Sequence, residues 1–468
     1  MVLVLALLLS CGATAFADPT PWSLRVLIDE RSATVRAYQN EYVNDIYLSL
    51  SDLSAALSGT PRAFRFAYHN TTADGEYFTV EIGEQANVGS GAGAPTESPW
   101  VSSLYTFRNR IFVNGLEHRY YTYRDGRDLF MSLTDLQLML DIPAELQEDG
   151  LRLYPGLHFR PNVPELDELG YFDCFSAVLL ADADSGEILY ARCAEDPVPI
   201  ASISKLMTYL LLNDAAKAGD FAFDDIVVAS DAAAALSQGP DAMVSLKAGT
   251  AYPARDLIGA MLLASSNECA LALAEHLAGS EAAFVERMNE RAQELGMESA
   301  RFYNCNGLPV YLRNAVTSKV QNRMSAKDLF TLCRAVLDEC PEMLKISCER
   351  YGSMPSLNYV TANSNAVVFN LEGCNGLKTG STNKAGSCLA ASLPVTVNGE
   401  THTAVAIVLG AEIPALRNQA AEILLRYARD SWTSDGFPVP QIVVEPAEDS
   451  VDASPAPSAS PAPVKKGG

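Results

Sequence analysis

The chain has 468 residues, 48% apolar and 19% charged, a composition that supports two or three domains with full cores and excludes a disordered protein. Its 57 acidic residues outnumber 34 Lys and Arg, for a formal charge of -23. That balance argues against nucleic acid and against an anionic membrane surface as the main partner.

Residues Met1 to Ala17 form an apolar run ending in Ala15-Phe16-Ala17, the small-x-small pattern of signal peptidase sites, and the run is short for a spanning helix. The expectation is a signal peptide over residues 1–17 and export. Cys11, preceded by Leu8-Leu9-Ser10, also resembles a lipoprotein cleavage site, so peripheral or lipid-anchored membrane association is the alternative. Cleavage after Ala17 leaves nine cysteines, an odd number with no Cys-x-x-Cys spacing, which indicates neither a zinc site nor a redox dithiol. Buried thiols acting as small apolar residues are expected, with one or two disulfides as the alternative in an exported protein.

An internal repeat marks a first domain over residues 22–155. Tyr47-Leu48-Ser49-Leu50-Ser51-Asp52-Leu53 returns as Phe130-Met131-Ser132-Leu133-Thr134-Asp135-Leu136. Each copy follows a β-like run, and each Ser-Asp or Thr-Asp pair suits a helix N-terminus leading into Leu-spaced turns. A small α+β domain of strands followed by one short helix, made twice, is the physical reading. It resembles the copper amine oxidase N-terminal-like stalk domains of bacterial surface proteins. No metal follows from that likeness, because His69, His118 and His158 are scattered singly. Tyr120, Tyr121 and Tyr123 are expected to pack on the sheet, with stacking on sugar rings as the alternative.

The proline-rich stretch within residues 156–171 reads as a linker, and a second domain over residues 172–432 opens with a hairpin, Phe175 to Ala181 and Glu187 to Ala191. From Ser202 onward Ile203, Leu206, Met207, Leu210 and Leu211 form one helical stripe. Arg255 to Ala264 and Glu268 to Leu277 read as two helices interrupted by the polar Ser265-Ser266-Asn267. Strands return over Cys388 to Val397 and Thr401 to Leu409, joined at Asn398-Gly399, and Pro414 to Ala428 closes as an amphipathic helix. An antiparallel sheet of early and late strands around a helical block is an α+β arrangement. Residues 433–468, acidic and then rich in Ser, Ala and Pro, are expected to be extended and disordered.

Lys205 is the first lysine of the chain; every Lys or Arg position before it is arginine. It lies one helical turn after Ser202, in Ser202-Ile203-Ser204-Lys205, so the two side chains share a face. A serine nucleophile needs a base able to lose its proton, which arginine cannot supply. Lysine pays for this role: its ordinary pKa is about 10.4, and being neutral near pH 7 costs about 4 kcal/mol, which burial and a second cation can supply. Lys378 is the candidate second cation, while Ser265 and Asn267 are placed to relay a proton and hold a substrate amide. A Ser-x-x-Lys match alone is weak. Ser381-Thr382-Asn383-Lys384 matches too, but in a Gly-flanked loop.

Ser202-x-x-Lys205, Ser265-x-Asn267 and Lys378-Thr379-Gly380, in this order, resemble the signature of penicillin-recognising serine enzymes. The surrounding text over roughly residues 172 to 430 is similar to the D-alanyl-D-alanine carboxypeptidases among the low-molecular-mass penicillin-binding proteins. The resemblance implies a β-lactamase/penicillin-binding-protein-like catalytic domain needing no cofactor and no metal. Ser202 would attack the carbonyl of the penultimate D-alanine of a peptidoglycan stem peptide, Lys205 would take its proton, and Ser265 would pass a proton to the departing D-alanine. Asn267 would bind the peptide, Lys378 and Thr379 the terminal carboxylate, and the amides of Ser202 and Ser381 would form the oxyanion hole beside Gly380. A β-lactam would acylate Ser202. Ser266 departs from the family's usual glycine, and the all-β domain and anchor helix that commonly follow the catalytic domain have no counterpart in residues 433–468.

Two alternatives remain at this stage. A serine β-lactamase shares the motifs and would need a dedicated carboxylate, for which Glu268, Glu275, Glu281, Glu286 and Glu290 are available. The other is a catalytically inert cell-wall-binding scaffold, which the intact motifs disfavour. His276, near a helix end, is not expected to serve a His-based triad.

Overall fold

The computed structural model describes residues 20–40, 45–72, 75–83, 100–101, 110–312, 315–397, 399–432 and 442–444. The expected signal peptide and Cys11 lie outside them, as does most of the tail. No helix among the described residues is long and apolar enough to cross a membrane.

The N-terminal domain carries an eight-stranded sheet and a four-stranded one. The repeat appears as expected: strand Asp45–Ser49 runs into helix α1 (Leu50–Ala56), and strand Asp128–Ser132 into α2 (Leu133–Leu140). The caps sit two residues earlier than expected. Ser49 and Ser132 accept from the backbone N–H groups of Asp52 and Asp135, satisfying donors that a helix start leaves orphaned. The three tyrosines pack as expected. Tyr123 joins Tyr38, Tyr47 and Phe130, Tyr120 enters the main core of this domain, and Tyr121 packs on Ile413 and Ala415 of the catalytic domain.

The expected linker is not a free spacer. Within it Asn162 caps α3 (Val163–Glu168), and Phe159, Val163 and Leu166 are buried in the core on one face of the catalytic sheet. Burying these apolar side chains outweighs the extended preference of the flanking prolines.

The catalytic sheet has six strands in the order Leu377–Thr382, Gly386–Val397, Glu400–Ala411, Ala177–Asp182, Ile188–Arg192, Ile442–Val444. All pairs are antiparallel but the last, where Tyr190 lies beside Ile442. That pairing corrects the expectation of a wholly disordered tail: an apolar triplet adds itself to the sheet edge. The alternation of side chains divides each central strand between two cores. In the first strand of the hairpin, Ala177, Leu179 and Ala181 face the helical block, whereas Val178 and Leu180 face the other side. A sheet covered on both faces reads as a continuous apolar run, and this one does.

On one face lies the helical block: α4 (Lys205–Ala218), α5 (Asp231–Leu236), α6 (Ala254–Leu263), α7 (Asn267–Ala278), α8 (Glu281–Glu294), α9 (Ala326–Glu339) and α10 (Pro341–Ser347). Gly219 and Gly279 end α4 and α7 in left-handed conformation. The short α11 (Val367–Asn370) and the long α12 (Pro414–Ser431) cover the opposite face. The nine cysteines among the described residues are unpaired and six of them are buried, as expected for thiols used as small apolar residues.

Candidate active site

Ser202 sits in a single 3-10 turn, Ala201–Ser204, that runs directly into α4. Ser204 Oγ donates to the Ala201 carbonyl at 2.7 Å, and Ala201 has φ of +49°, a costly conformation for a residue with a Cβ. Two glycines allow other segments to close on this turn. A Cβ at Gly307 would lie 2.0 Å from the Ala201 carbonyl oxygen, and one at Gly380 would lie 2.6 Å from that of Ile200 and 3.0 Å from Ser202 N. No other residue type fits at either position.

Lys205 is fully buried, and its Nζ lies 2.9 Å from Ser202 Oγ, 2.8 Å from Asn267 Oδ1 and 2.8 Å from the Asn306 carbonyl. Two of these atoms are carbonyl oxygens, which only accept; the third belongs to a hydroxyl, which can donate. The hydroxyl oxygen also accepts, so an ammonium places its three hydrogens on these three atoms, while a neutral amine keeps two for the carbonyls and turns its lone pair to the hydroxyl. The geometry serves both states, and burial favours the neutral one. Burial pulls the Lys205 ammonium from 10.5 down to about 7, against the opposing effects of Cys305, Glu268 and Cys269. The expectation that Lys378 depresses Lys205 is adjusted here. Burial leads for Lys205, while burial, Lys205 and Arg417 hold Lys378 well below its ordinary value.

The second motif lies between α6 and α7. Ser265 takes φ of +64°, and Ser266 N donates back to the Ala260 carbonyl at 3.1 Å. Ser266 is the N-cap of α7, its Oγ accepting from Cys269 N at 3.1 Å, so the departure from glycine puts a capping side chain here. Asn267 spans the cleft floor, with Oδ1 toward Lys205 and Nδ2 donating to the Asp241 carbonyl at 3.3 Å. Its Oδ1 is thus committed to Lys205 and one Nδ2 hydrogen to Asp241, and the second Nδ2 hydrogen is the one open to the expected substrate contact.

The third motif lies on the edge strand Leu377–Thr382 of the sheet. Lys378 is buried and donates to the Thr379 carbonyl at 3.0 Å, and Thr379 Oγ1 lies 2.8 Å from Ser364 Oγ. Gly380 pairs with Cys388 and the exposed Ser381 with Ser387. The decoy, Lys384, is an exposed residue beyond the strand end and shares no helix with Ser381.

Sequence reasoning missed four contributors. Asn306 supplies a carbonyl to Lys205 and Ser364 a hydroxyl to Thr379. Arg417, buried in the first turn of α12, hydrogen-bonds Asn418 and adds positive potential near Lys378. Glu268, fully buried, accepts from Met243 N at 2.8 Å and from Val244 N, holding the loop that carries Asp241. Among the described residues Lys205, Lys378 and Arg417 form no ion pair, leaving three buried basic side chains without a carboxylate partner. The β-lactamase alternative gains nothing from the other acids: Glu275 accepts from Ser230 Oγ, Glu281 from Cys305 N at 3.2 Å, and Glu286 and Glu290 are exposed. His276 lies 3.8 Å from Asp225 and outside the cluster.

Comparison with known proteins places this arrangement. Residues 173–413, just over half the chain, match the peptidase S11 family, D-alanyl-D-alanine carboxypeptidase. Similar proteins include D-alanyl-D-alanine carboxypeptidase DacF of Bacillus subtilis (strain 168), 29% identical over 280 residues, which span 59% of this chain and 67% of that one. DacA of Escherichia coli (strain K12) is 30% identical over 236 residues, 50% of this chain and 54% of its own. Among solved structures, a peptidoglycan synthesis regulatory factor (PBP3) from Streptococcus pneumoniae superposes with a TM-score of 0.51 at 28% identity, covering 56% of this chain and 72% of that one. The penicillin-binding-protein-like α+β domain expected from the motifs is therefore present, and the chain belongs to the D-alanyl-D-alanine carboxypeptidase family.

Proposed function

We propose that the chain trims the terminal D-alanine from peptidoglycan stem peptides through an acyl-enzyme on Ser202. The observation that carries this reading is the 2.9 Å approach of Nζ of the fully buried Lys205 to Ser202 Oγ, with Asn267 Oδ1 and the Asn306 carbonyl each 2.8 Å from the same nitrogen. Lys205 takes the hydroxyl proton as Ser202 Oγ bonds to the penultimate carbonyl carbon. The amides of Ser202 and Ser381 receive the developing oxyanion, each such donor being typically worth ~10²–10³ in rate. Lys205 returns the hydroxyl proton through Ser265 to the departing D-alanine nitrogen as the C–N bond breaks. The freed base then takes a proton from the water that attacks the acyl carbon, and gives it to Ser202 Oγ as the acyl C–O bond breaks.

The terminal carboxylate supplies the missing anion. Lys378 and Thr379 receive it, with Arg417 behind them, and its negative charge restores the Lys378 proton that burial and Lys205 disfavour. A β-lactam presents the same carboxylate and a strained amide, so it acylates Ser202 as well.

The apolar run at residues 1–17 supports export, and the N-terminal domain resembles a stalk of the copper amine oxidase N-terminal-like kind. Cleavage after Ala17 frees the enzyme in the wall space; cleavage before Cys11 tethers it by lipid. The mass of the mature N-terminus distinguishes the two.

The test is to incubate the purified full chain with a pentapeptide stem and with penicillin. Released D-alanine and a penicillin adduct on Ser202 are expected, both lost in Ser202→Ala. Adduct formation at another residue, or D-alanine release surviving in Ser202→Ala, overturns the reading.

A further inference from the structure

The N-terminal domain touches the catalytic domain at α12, where Tyr121 packs on Ile413 and Ala415 and Gln419 Nε2 donates to Ser132 Oγ at 2.9 Å, and at one segment, residues 350–370. Asn370 makes a two-point bond to the backbone of Arg119, accepting from its N–H at 2.8 Å and donating to its carbonyl at 3.0 Å. The Arg119 guanidinium lies 4.3 Å over the Phe369 ring and 3.3 Å from Tyr351 Oη. Tyr351 Oη donates to Glu117, and Arg350 donates to the Glu117 carbonyl at 3.2 Å and to the Phe369 carbonyl at 3.2 Å. Both ends of the segment are thus gripped by two residues of the other domain.

Between those ends the segment forms part of the active site. Its hairpin, Tyr351–Met354 with Tyr359–Ala362, seats on α6 so closely that a Cβ at Gly352 would fall 2.2 Å from Leu263 Cδ1. Ser364 N donates to the Leu263 carbonyl at 3.0 Å, two residues before Ser265, and Ser364 Oγ lies 2.8 Å from Thr379 Oγ1. Asn365 Nδ2 donates to the Gly376 carbonyl at 3.0 Å, at the head of the Lys378 strand. One segment therefore joins the second motif to the third, and it is held from within the catalytic domain by these bonds and at both ends by Glu117 and Arg119 of the other domain.

We propose that the N-terminal domain is a clamp for the active site, with Glu117 and Arg119 as positioning residues that hold Ser364 against Thr379. The proposal rests on the reading that Thr379 receives the substrate carboxylate. Sites built on supporting contacts lose function through small displacements, so loosening the clamp selectively weakens recognition of that carboxylate.

The experiment uses the full chain and measures second-order acylation rate constants for benzylpenicillin and for its methyl ester, which lacks the free carboxylate, together with the thermal midpoint. Wild type is expected to prefer the free acid. Arg119→Ala is expected to slow acylation by benzylpenicillin about tenfold while leaving the ester within about twofold, so the preference collapses. Tyr351→Phe, which removes one hydroxyl from the clamp, is expected to shift the ratio in the same direction by less and keeps the test valid if Arg119→Ala does not fold. A retained preference in the folded variants, with or without a lower thermal midpoint, overturns the clamp and leaves a merely structural interface. A wild-type ratio near one overturns the carboxylate reading and the proposal with it.

Discussion

Lys205 Nζ lies 2.9 Å from Ser202 Oγ at the start of α4, inside a pocket where no carboxylate pairs with either residue among the described side chains. Ser202 Oγ and the two carbonyl oxygens together accept the three hydrogens of an ammonium, so hydrogen bonding alone does not choose the protonation state. Burial is what disfavours the ammonium and brings its pKa down to about 7. The turn before it, strained at Ala201, aims the hydroxyl out of the helix axis and toward that amine.

The acylation rate should follow the protonation of this amine. Below its pKa the nitrogen has no lone pair, so the second-order rate constant for penicillin is expected to rise with pH and to level off above an inflection near 7. A rate profile that keeps climbing toward pH 10 would mean that Lys205 retains its ordinary basicity. Lys205→Arg should be inactive at every pH.

Stability should carry the same signature with a definite sign. Folded Lys205 titrates near 7 and an unfolded lysine near 10.5, so between these values the unfolded chain binds more protons. Stability from this group therefore increases with pH across that window, by at most about 1.4 kcal/mol per pH unit, and is constant below pH 7, where both states hold the proton. Urea unfolding of the full chain and of Lys205→Met at pH 7 and 9 checks this: the gain between the two pH values should shrink in the variant.

Gly380→Ala should disable the site without unfolding the protein. The new methyl would meet the Ile200 carbonyl oxygen at 2.6 Å and Ser202 N at 3.0 Å, so the edge strand must retreat from the nucleophile. A displacement of this kind is expected to cost ~10²-fold in acylation rate, read by labelling with a fluorescent penicillin. Far-ultraviolet circular dichroism should be unchanged.

Glu268→Ala removes a buried carboxylate that anchors two backbone amides, those of Met243 and Val244. Leaving buried donors unpaired typically costs 1–3 kcal/mol, so a loss of about 2–4 kcal/mol is expected in denaturant unfolding. The freed loop carries the Asp241 carbonyl that holds Asn267, so acylation should slow as well.

How much of this was legible beforehand depended on how local each feature is. The hairpin at residues 177–192, the paired helices around Ser265 and the closing helix from Pro414 follow from short-range periodicity, and the structure moves their ends by only a few residues. The helix caps at Ser49 and Ser132 were misplaced by two residues because several Ser, Thr and Asp residues nearby suit the role, and only the strand geometry picks one. Residues 156–171 read as a spacer in the sequence because prolines favour extension, while the burial of Phe159 and Val163 depends on a sheet assembled from distant strands.

The sequence by itself supplied the chemical candidates: a serine and a lysine three apart share a face where the chain is helical, as at Ser202 and Lys205 and not at Ser381 and Lys384, and only lysine among the strong cations gives up its proton. Tertiary structure alone decided the second carbonyl on that lysine, from Asn306, 101 residues away, the buried Arg417 near Lys378, and the grip of Glu117 and Arg119 on the segment behind Thr379. The physical reason is range. Bond geometry fixes neighbours along a helix, whereas contacts between remote segments are set by the packing of the whole core and leave no spacing in the chain to read.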